Sequence, residues 1–166
     1  MPFVGMLFTG IMVTESGPKT LEYNARFGDP ETQALLRLLK SDLLEILMAC
    51  VEGRLDEVEV VMEEEACAVV VVSSEGYPGN YWKGDVIEME ERHGKGDVRF
   101  FYVGIEVRGD GKLVTAGGRV LAVSATAKTL EEAVAKAYEG VGMVRFEGMH
   151  FRKDIAYRYA FLHLGA

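Results

Sequence analysis

Residues 66–73 read Ala-Cys-Ala-Val-Val-Val-Val-Ser, an apolar run without a charge or a turn residue. A short, β-branched run of this kind is most simply a strand buried on both faces, and such a strand requires partners on either side. Residues 3–14 are rich in Phe, Val, Ile and Met, and Glu15-Ser16-Gly17-Pro18 is turn chemistry before a second extended stretch, Lys19 to Asn24. Farther on, Arg108-Gly109-Asp110-Gly111 separates extended stretches at 99–107 and 112–116, and its Asp-Gly pair is a strong hairpin signal. Residues 119–126 form one more apolar strand.

Helices are signalled at three places. Asp29-Pro30 can cap and start a helix whose apolar side is Leu35, Leu36, Leu38 and Leu39. Ser41 or Asp42 can cap a second, with Leu43, Leu44, Leu47, Met48 and Val51 at helical spacing before Gly53. Thr129 followed by Glu132 is a capping box, and Ala133, Val134, Ala137 and Val141 supply a buried stripe. The order β-β-α-α-β-β-β-β-α with antiparallel hairpins predicts an α+β fold, with a soft boundary near residues 53–65 where helices give way to strands.

Charge and cysteine content narrow the function classes. The chain carries 18 Lys+Arg against 26 Asp+Glu, a formal net charge of −8. That balance opposes a nucleic-acid partner, so the basic and aromatic stretch at 149–163 is expected to be a docking segment. The run of Glu63, Glu64 and Glu65 reads as a solvated face rather than a metal trap. Cys50 and Cys67 lie in apolar stretches, which fits a reducing compartment, and no window approaches the roughly 18 apolar residues of a membrane helix. The expected location is the cytoplasm, with no membrane partner. The N-terminus lacks the pattern of a signal peptide and opens directly on a strand, so a segment of something longer is expected.

Two constellations carry chemistry. Side chains at i and i+2 of a strand share a face, so Glu22 and Asn24 offer a carboxylate and an amide oxygen side by side, a donor pair suited to Mg²⁺ or Mn²⁺. Arg26 and Asp29 follow where strand hands over to helix, a place that readily holds anionic substrates. Read alone, the same residues also fit a surface strand ending in a helix cap. The second constellation is Lys112 with Gly117-Gly118-Arg119, where two glycines allow close backbone approach and the guanidinium can bind phosphate bidentately; a solvated arginine at a hairpin end is the bland alternative. Spaced Cys or His pairs for zinc, a Gly-x-Ser-x-Gly elbow and a Walker loop are all absent from the sequence, and His93, His150 and His163 stand isolated.

The stretch GPKTLEYNARFGDPETQALLRLLKSDLLEIL at 17–47 resembles the phosphoribosylamine–glycine ligase (glycinamide ribonucleotide synthetase) family of ATP-grasp enzymes, with RFGDPE at 26–31 as its hallmark. EGYPGNYWKGDVI at 75–87, GGRVLAVSATAKTLEEAVAKAYEGV at 117–141 and FRKDIAYR at 151–158 continue the match in order. The wording near the start and the Tyr of LEYN are closer to eukaryotic multifunctional versions, fungal ones among them. The resemblance covers nearly all of this chain but only the C-terminal part of the family enzyme.

The resemblance implies that residues 1–55 are the end of an ATP-grasp lobe of antiparallel strands and helices, and that 56–166 are a small strand-rich C-terminal domain. It implies a ligase of purine biosynthesis that joins glycine to 5-phosphoribosylamine, consuming ATP through glycyl phosphate. Glu22 and Asn24 match the family's ligands for Mg²⁺ or Mn²⁺, and Arg26 and Asp29 face glycine and phosphoribosylamine. Arg119, with Lys112, is placed for the substrate phosphate. One departure stands out: related ATP-grasp enzymes carry an acidic metal ligand on the preceding strand, whereas residues 3–14 contain no Asp or Glu. The adenine-binding segment and phosphate-contacting lysines lie upstream in the family, so the chain by itself is expected to be inactive without that upstream part. The alternative from another class is a non-catalytic phosphate-binding or assembly module derived from the same fold.

Overall fold

The turn at Glu15-Ser16 closes a hairpin, β1 (Phe8–Thr14) against β2 (Gly17–Asn24), with Thr14 Oγ1 donating to the Gly17 carbonyl at 2.8 Å. The computed structural model describes residues 3–90 and 96–157. His93, His163 and the end of the aromatic stretch, 158–163, lie outside the described residues. The chain divides into two compact units, Met1–Glu63 and Glu64–Ala166.

In the first unit, β1 is shorter than the extended stretch expected from Phe3, and its register against β2 slips between Gly10 and Ile11. That bulge adds local twist just before Glu22, which lies opposite Gly10. Helix α1 (Glu31–Leu38) begins with Pro30 at its N-cap and has no side-chain cap. The expected cap, Asp29, instead accepts from Gln33 Nε2 at 3.1 Å, while the Gly28 carbonyl receives Thr32 N and Thr32 Oγ1. The apolar side expected for α1 is also not a buried one: Leu35 and Leu36 are exposed. Helix α2 (Leu43–Glu52) follows the sequence closely, capped by Asp42 Oδ1 on Leu44 N at 2.8 Å and ended by Gly53 in the left-handed region. A short 3-10 turn, Leu55–Glu57, leads into a strip that returns along the end of α1, where Lys40 N donates to Val61 O and Glu63 N to Leu38 O.

The second unit is built on a four-stranded antiparallel sheet in the order β10-β3-β8-β5, formed by β3 (Ala66–Ser74), β5 (Val98–Tyr102), β8 (Arg119–Ala127) and β10 (Met149–Phe151). The apolar run at 66–73 is an inner strand, as its composition demands. Its neighbour β8 is buried from Val120 to Ala127 and carries Val120, Leu121 and Val123, all fully buried. Helix α3 (Leu130–Val141) covers the sheet with Ala133, Ala137, Gly140 and Val141, and Thr129 Oγ1 caps it by accepting from Glu132 N at 3.2 Å. Two short ladders complete the unit, β4 (Glu88–Met89) with β9 (Val144–Arg145) and β6 (Ile105–Val107) with β7 (Leu113–Thr115).

The stretch at 99–107, expected as one strand, is two. It breaks at Val103-Gly104, whose N–H groups both donate to the Val120 carbonyl at 3.0 Å. A Cβ on Gly104 would stand 2.6 Å from the Cα of Gly117, so the backbones cross here at a separation that only glycine permits. Among the described residues, no helix is long and apolar enough to cross a membrane.

Candidate functional site

The β2 exit carries Glu22, Asn24 and Arg26, and Asp29 follows just before α1, where its carboxylate accepts from Gln33. Glu22 and Asn24 project from one face, opposite Gly10 and Phe8 of β1, and Tyr23 from the other. Arg26 follows directly and folds back over the strand end: Nη1 donates to the Phe27 carbonyl at 2.8 Å and Nη2 to Asn24 Oδ1 at 3.3 Å. This contact fixes the amide orientation, because a flipped amide would set two donors against each other. Among the described residues it leaves Asn24 Nδ2 buried without a hydrogen-bond partner. A buried donor in that state is costly unless an acceptor oxygen arrives to meet it. Glu22, Arg26 and Asp29 are exposed and Asn24 half-buried.

Among the described residues, no three His, Cys, Asp or Glu side chains converge into a metal cluster. A carboxylate and an amide oxygen on one strand face nevertheless form a donor set of the right hardness for Mg²⁺ or Mn²⁺. Mg²⁺ commonly takes only one or two protein oxygens and completes its shell with water and phosphate. The unpartnered Nδ2 beside that pair suits a phosphate oxygen equally well.

The second set lies in the other unit, and its two cations stand on different elements. Lys112 occupies the exposed β6–β7 turn. Its N–H donates to Asp110 Oδ1, its carbonyl accepts from Arg108 N, and Arg108 and Asp110 form a bidentate pair. The Arg108 guanidinium, with the Lys112 N–H, holds the Asp110 carboxyl below the usual carboxylate range. Arg119 begins β8, half-buried, where Ser74 N donates to Gly118 O at 2.9 Å and Ser74 Oγ to Gly117 O at 3.1 Å. Its Nε donates to the Tyr77 hydroxyl at 3.1 Å. Tyr77 lies in the EGYPGNY stretch, and a Tyr-Pro-Gly turn does not disclose that its hydroxyl reaches an arginine 42 positions away.

The basic stretch after Gly148 behaves as a docking segment over its described part. β10 adds to the edge of β3, the Tyr138 hydroxyl of α3 donates to Arg152 O at 2.9 Å, and that hydroxyl oxygen accepts from Ile155 N at 3.1 Å. The exposed Arg152 pairs with Asp154, with contacts of 2.9 and 2.8 Å.

The sequence profile described as "Phosphoribosylglycinamide synthetase, C domain" matches residues 67–158, more than half of the chain. The chain belongs to the phosphoribosylglycinamide synthetase family. Residues 1–32 match that family's ATP-grasp (A) domain, the portion containing β1, β2 and the β2 exit. The chain is 56% identical over 157 residues to the bifunctional purine biosynthetic protein ADE1 of Schizosaccharomyces pombe, a match covering 94% of this chain and 20% of that protein. It is 46% identical to phosphoribosylamine–glycine ligase of Brucella melitensis, covering 95% and 37% respectively. It therefore spans between a fifth and two fifths of these relatives' lengths.

Among solved structures, phosphoribosylamine–glycine ligase of Thermotoga maritima superposes with a TM-score of 0.78 at 38% identity, covering 90% of this chain and 36% of that one. The biotin carboxylase domain of Hydrogenobacter thermophilus 2-oxoglutarate carboxylase matches at 14% identity and a TM-score of 0.61, over 88% of this chain and 35% of that one, a likeness of fold. The α+β expectation and the family resemblance both agree with these findings.

Proposed function

We propose that the chain is the C-terminal segment of an ATP-dependent ligase that joins glycine to 5-phosphoribosylamine in de novo purine biosynthesis. In this reading residues 1–55 are the end of the ATP-grasp domain and 56–166 the C-terminal domain. The observation that carries it is the β2 exit, where Glu22 and Asn24 share a strand face and Arg26 reaches Asn24 Oδ1 beside an unsatisfied amide donor.

The chemistry proceeds in two displacements. A glycine carboxylate oxygen attacks the γ-phosphorus of ATP, the β–γ bridging bond breaks, and ADP leaves, giving glycyl phosphate. The amine of phosphoribosylamine then attacks the acyl carbon, phosphate departs, and the nitrogen loses a proton to complete the amide. Glu22 and Asn24 Oδ1 would hold Mg²⁺ or Mn²⁺, which when bound would neutralise charge on the nucleotide phosphates. Arg26, whose Nη2 reaches Asn24 Oδ1 at 3.3 Å, serves the anionic substrate side together with Asp29. Arg119, assisted by Lys112, takes the ribose phosphate. The nucleotide clamp comes from the upstream part of the same enzyme, so the 166-residue chain alone does not turn over.

The test mixes this chain with the upstream portion and follows glycine-dependent ADP release. Turnover appears only in the mixture and is lost with Glu22→Ala. Release by the isolated chain would sink the segment reading, and full activity of Glu22→Ala would sink the metal assignment.

A further inference from the structure

Arg119 is held from a direction that its role as a phosphate ligand does not by itself explain. An arginine binds phosphate through two parallel N–H bonds only when its guanidinium plane is fixed, and an arginine at a strand start has several rotatable bonds to fix it with. In this chain a phenol supplies the fixing group. The Nε–H donates to the Tyr77 hydroxyl at 3.1 Å. The Tyr77 ring is itself immobilised against the backbone that leads into Arg119, since a Cβ on Gly118 would overlap ring atoms Cδ2 and Cε2 and come within 3.0 Å of Tyr81 Cε1. Tyr81 meets the Tyr77 ring edge-on at 6.1 Å between centroids and 63° between planes, and Lys83 Nζ sits 5.9 Å from the Tyr81 centroid. The loop and strand are also joined through backbone, by Tyr77 N on Ser74 O and Ser74 N on Gly118 O.

We propose that Tyr77 is a positioning residue for Arg119: its phenol oxygen sets the guanidinium plane so that the arginine meets the substrate phosphate in one orientation. The proposal rests on Arg119 being a phosphate ligand, as put forward above. It accounts for Gly118, whose missing side chain is the space the tyrosine ring occupies, and it separates the hydroxyl of Tyr77 from the packing of its ring.

The experiment uses the full-length ligase that contains this segment, with Tyr77→Phe, Arg119→Lys and the double variant. Tyr77→Phe keeps the ring on Gly118 and removes only the hydroxyl. It is expected to raise KM for phosphoribosylamine by about tenfold, the scale of one charge-assisted hydrogen bond, and to leave kcat, KM for ATP and glycine, and the thermal midpoint unchanged. Arg119→Lys is expected to raise the same KM at least as far. Adding Tyr77→Phe to it changes nothing more, because lysine has no Nε–H to hold. A Tyr77→Phe enzyme with unchanged phosphoribosylamine KM, one that loses kcat and thermal stability together, or one whose effect persists beside Arg119→Lys overturns the positioning role. If Arg119→Lys leaves that KM unchanged, the phosphate assignment of Arg119 is what has failed, and the positioning role falls with it.

Discussion

The two units of this chain spend their apolar residues in opposite ways. In Glu64–Ala166, the inner strands and α3 bury a continuous core around Val70, Val72, Leu121, Val123 and Val141. In Met1–Glu63, the described residues include only Gly28 and Ala49 as buried positions, while Val13, Leu21, Leu44 and Val51 are each more than 60% exposed. Local signals are equally good in both: Asp42 caps α2 as Thr129 caps α3. Caps and periodicity can therefore write a helix without giving it anything to pack against. The first unit has the composition of a core and the burial of a surface, which is what the proposed upstream part of the ATP-grasp domain would remedy.

The contrast can be broken at its strongest point with Leu121→Ala. Leu121 is fully buried, and truncation should cost about 2–5 kcal/mol in the urea unfolding of the second unit. A cost below about 1 kcal/mol would mean that this core is far looser than it looks. Caps come next: Thr129→Ala should lower that same transition by about 1 kcal/mol, whereas Asp42→Ala should reduce helical circular dichroism without moving it. Equal shifts from both caps would show that the units unfold as one. Leu44→Ala should stay within about 0.5 kcal/mol in this chain and become clearly larger in the full-length ligase. An equally small effect in both settings would count against an upstream partner on that face.

The smallest effect is electrostatic. Asp97 accepts a hydrogen bond from Lys136 at 2.6 Å and raises the ammonium above its ordinary value of 10.5. A cation held above its unfolded value contributes below that value, and the contribution fades as pH rises through the folded one. Alkaline titration should therefore loosen the tie between α3 and the turn before β5, a change that Asp97→Asn abolishes. Amide exchange along α3 that is flat between pH 9 and about 12, after correction for intrinsic rates, would remove the pair from the account.

Much of this architecture was legible because its causes are local. The valine run at 66–73, the Asp110-Gly111 turn, the Thr129 cap and the Gly53 stop each act within a few residues, and each appears where the sequence puts it. The failures share another origin. The strand at 99–107 breaks because Gly104 meets Gly117, and Asp29 leaves its expected cap for Gln33. Leu35 and Leu36 carry helical periodicity, but periodicity names a face without naming its partner. In the candidate site, shared-face spacing announced Glu22 with Asn24, and the RFGDPE motif marked Arg26 and Asp29. The contact of the Tyr77 hydroxyl with Arg119 exists only after folding joins segments 42 positions apart.

The pairing of β3 with β8 has a consequence in time. The two strands are hydrogen-bonded along Ala66–Ser73 and Arg119–Ala127, yet β8 leaves the ribosome about 50 residues after β3, a delay of about 3–10 s at ordinary synthesis rates. Throughout that interval the valine run has no native partner on either side, since its other neighbour, β10, comes later still. The strand that most constrains the fold is thus the part of the newborn chain most in need of shielding, and slowing translation between residues 74 and 119 should lower soluble yield more than slowing it anywhere after β10.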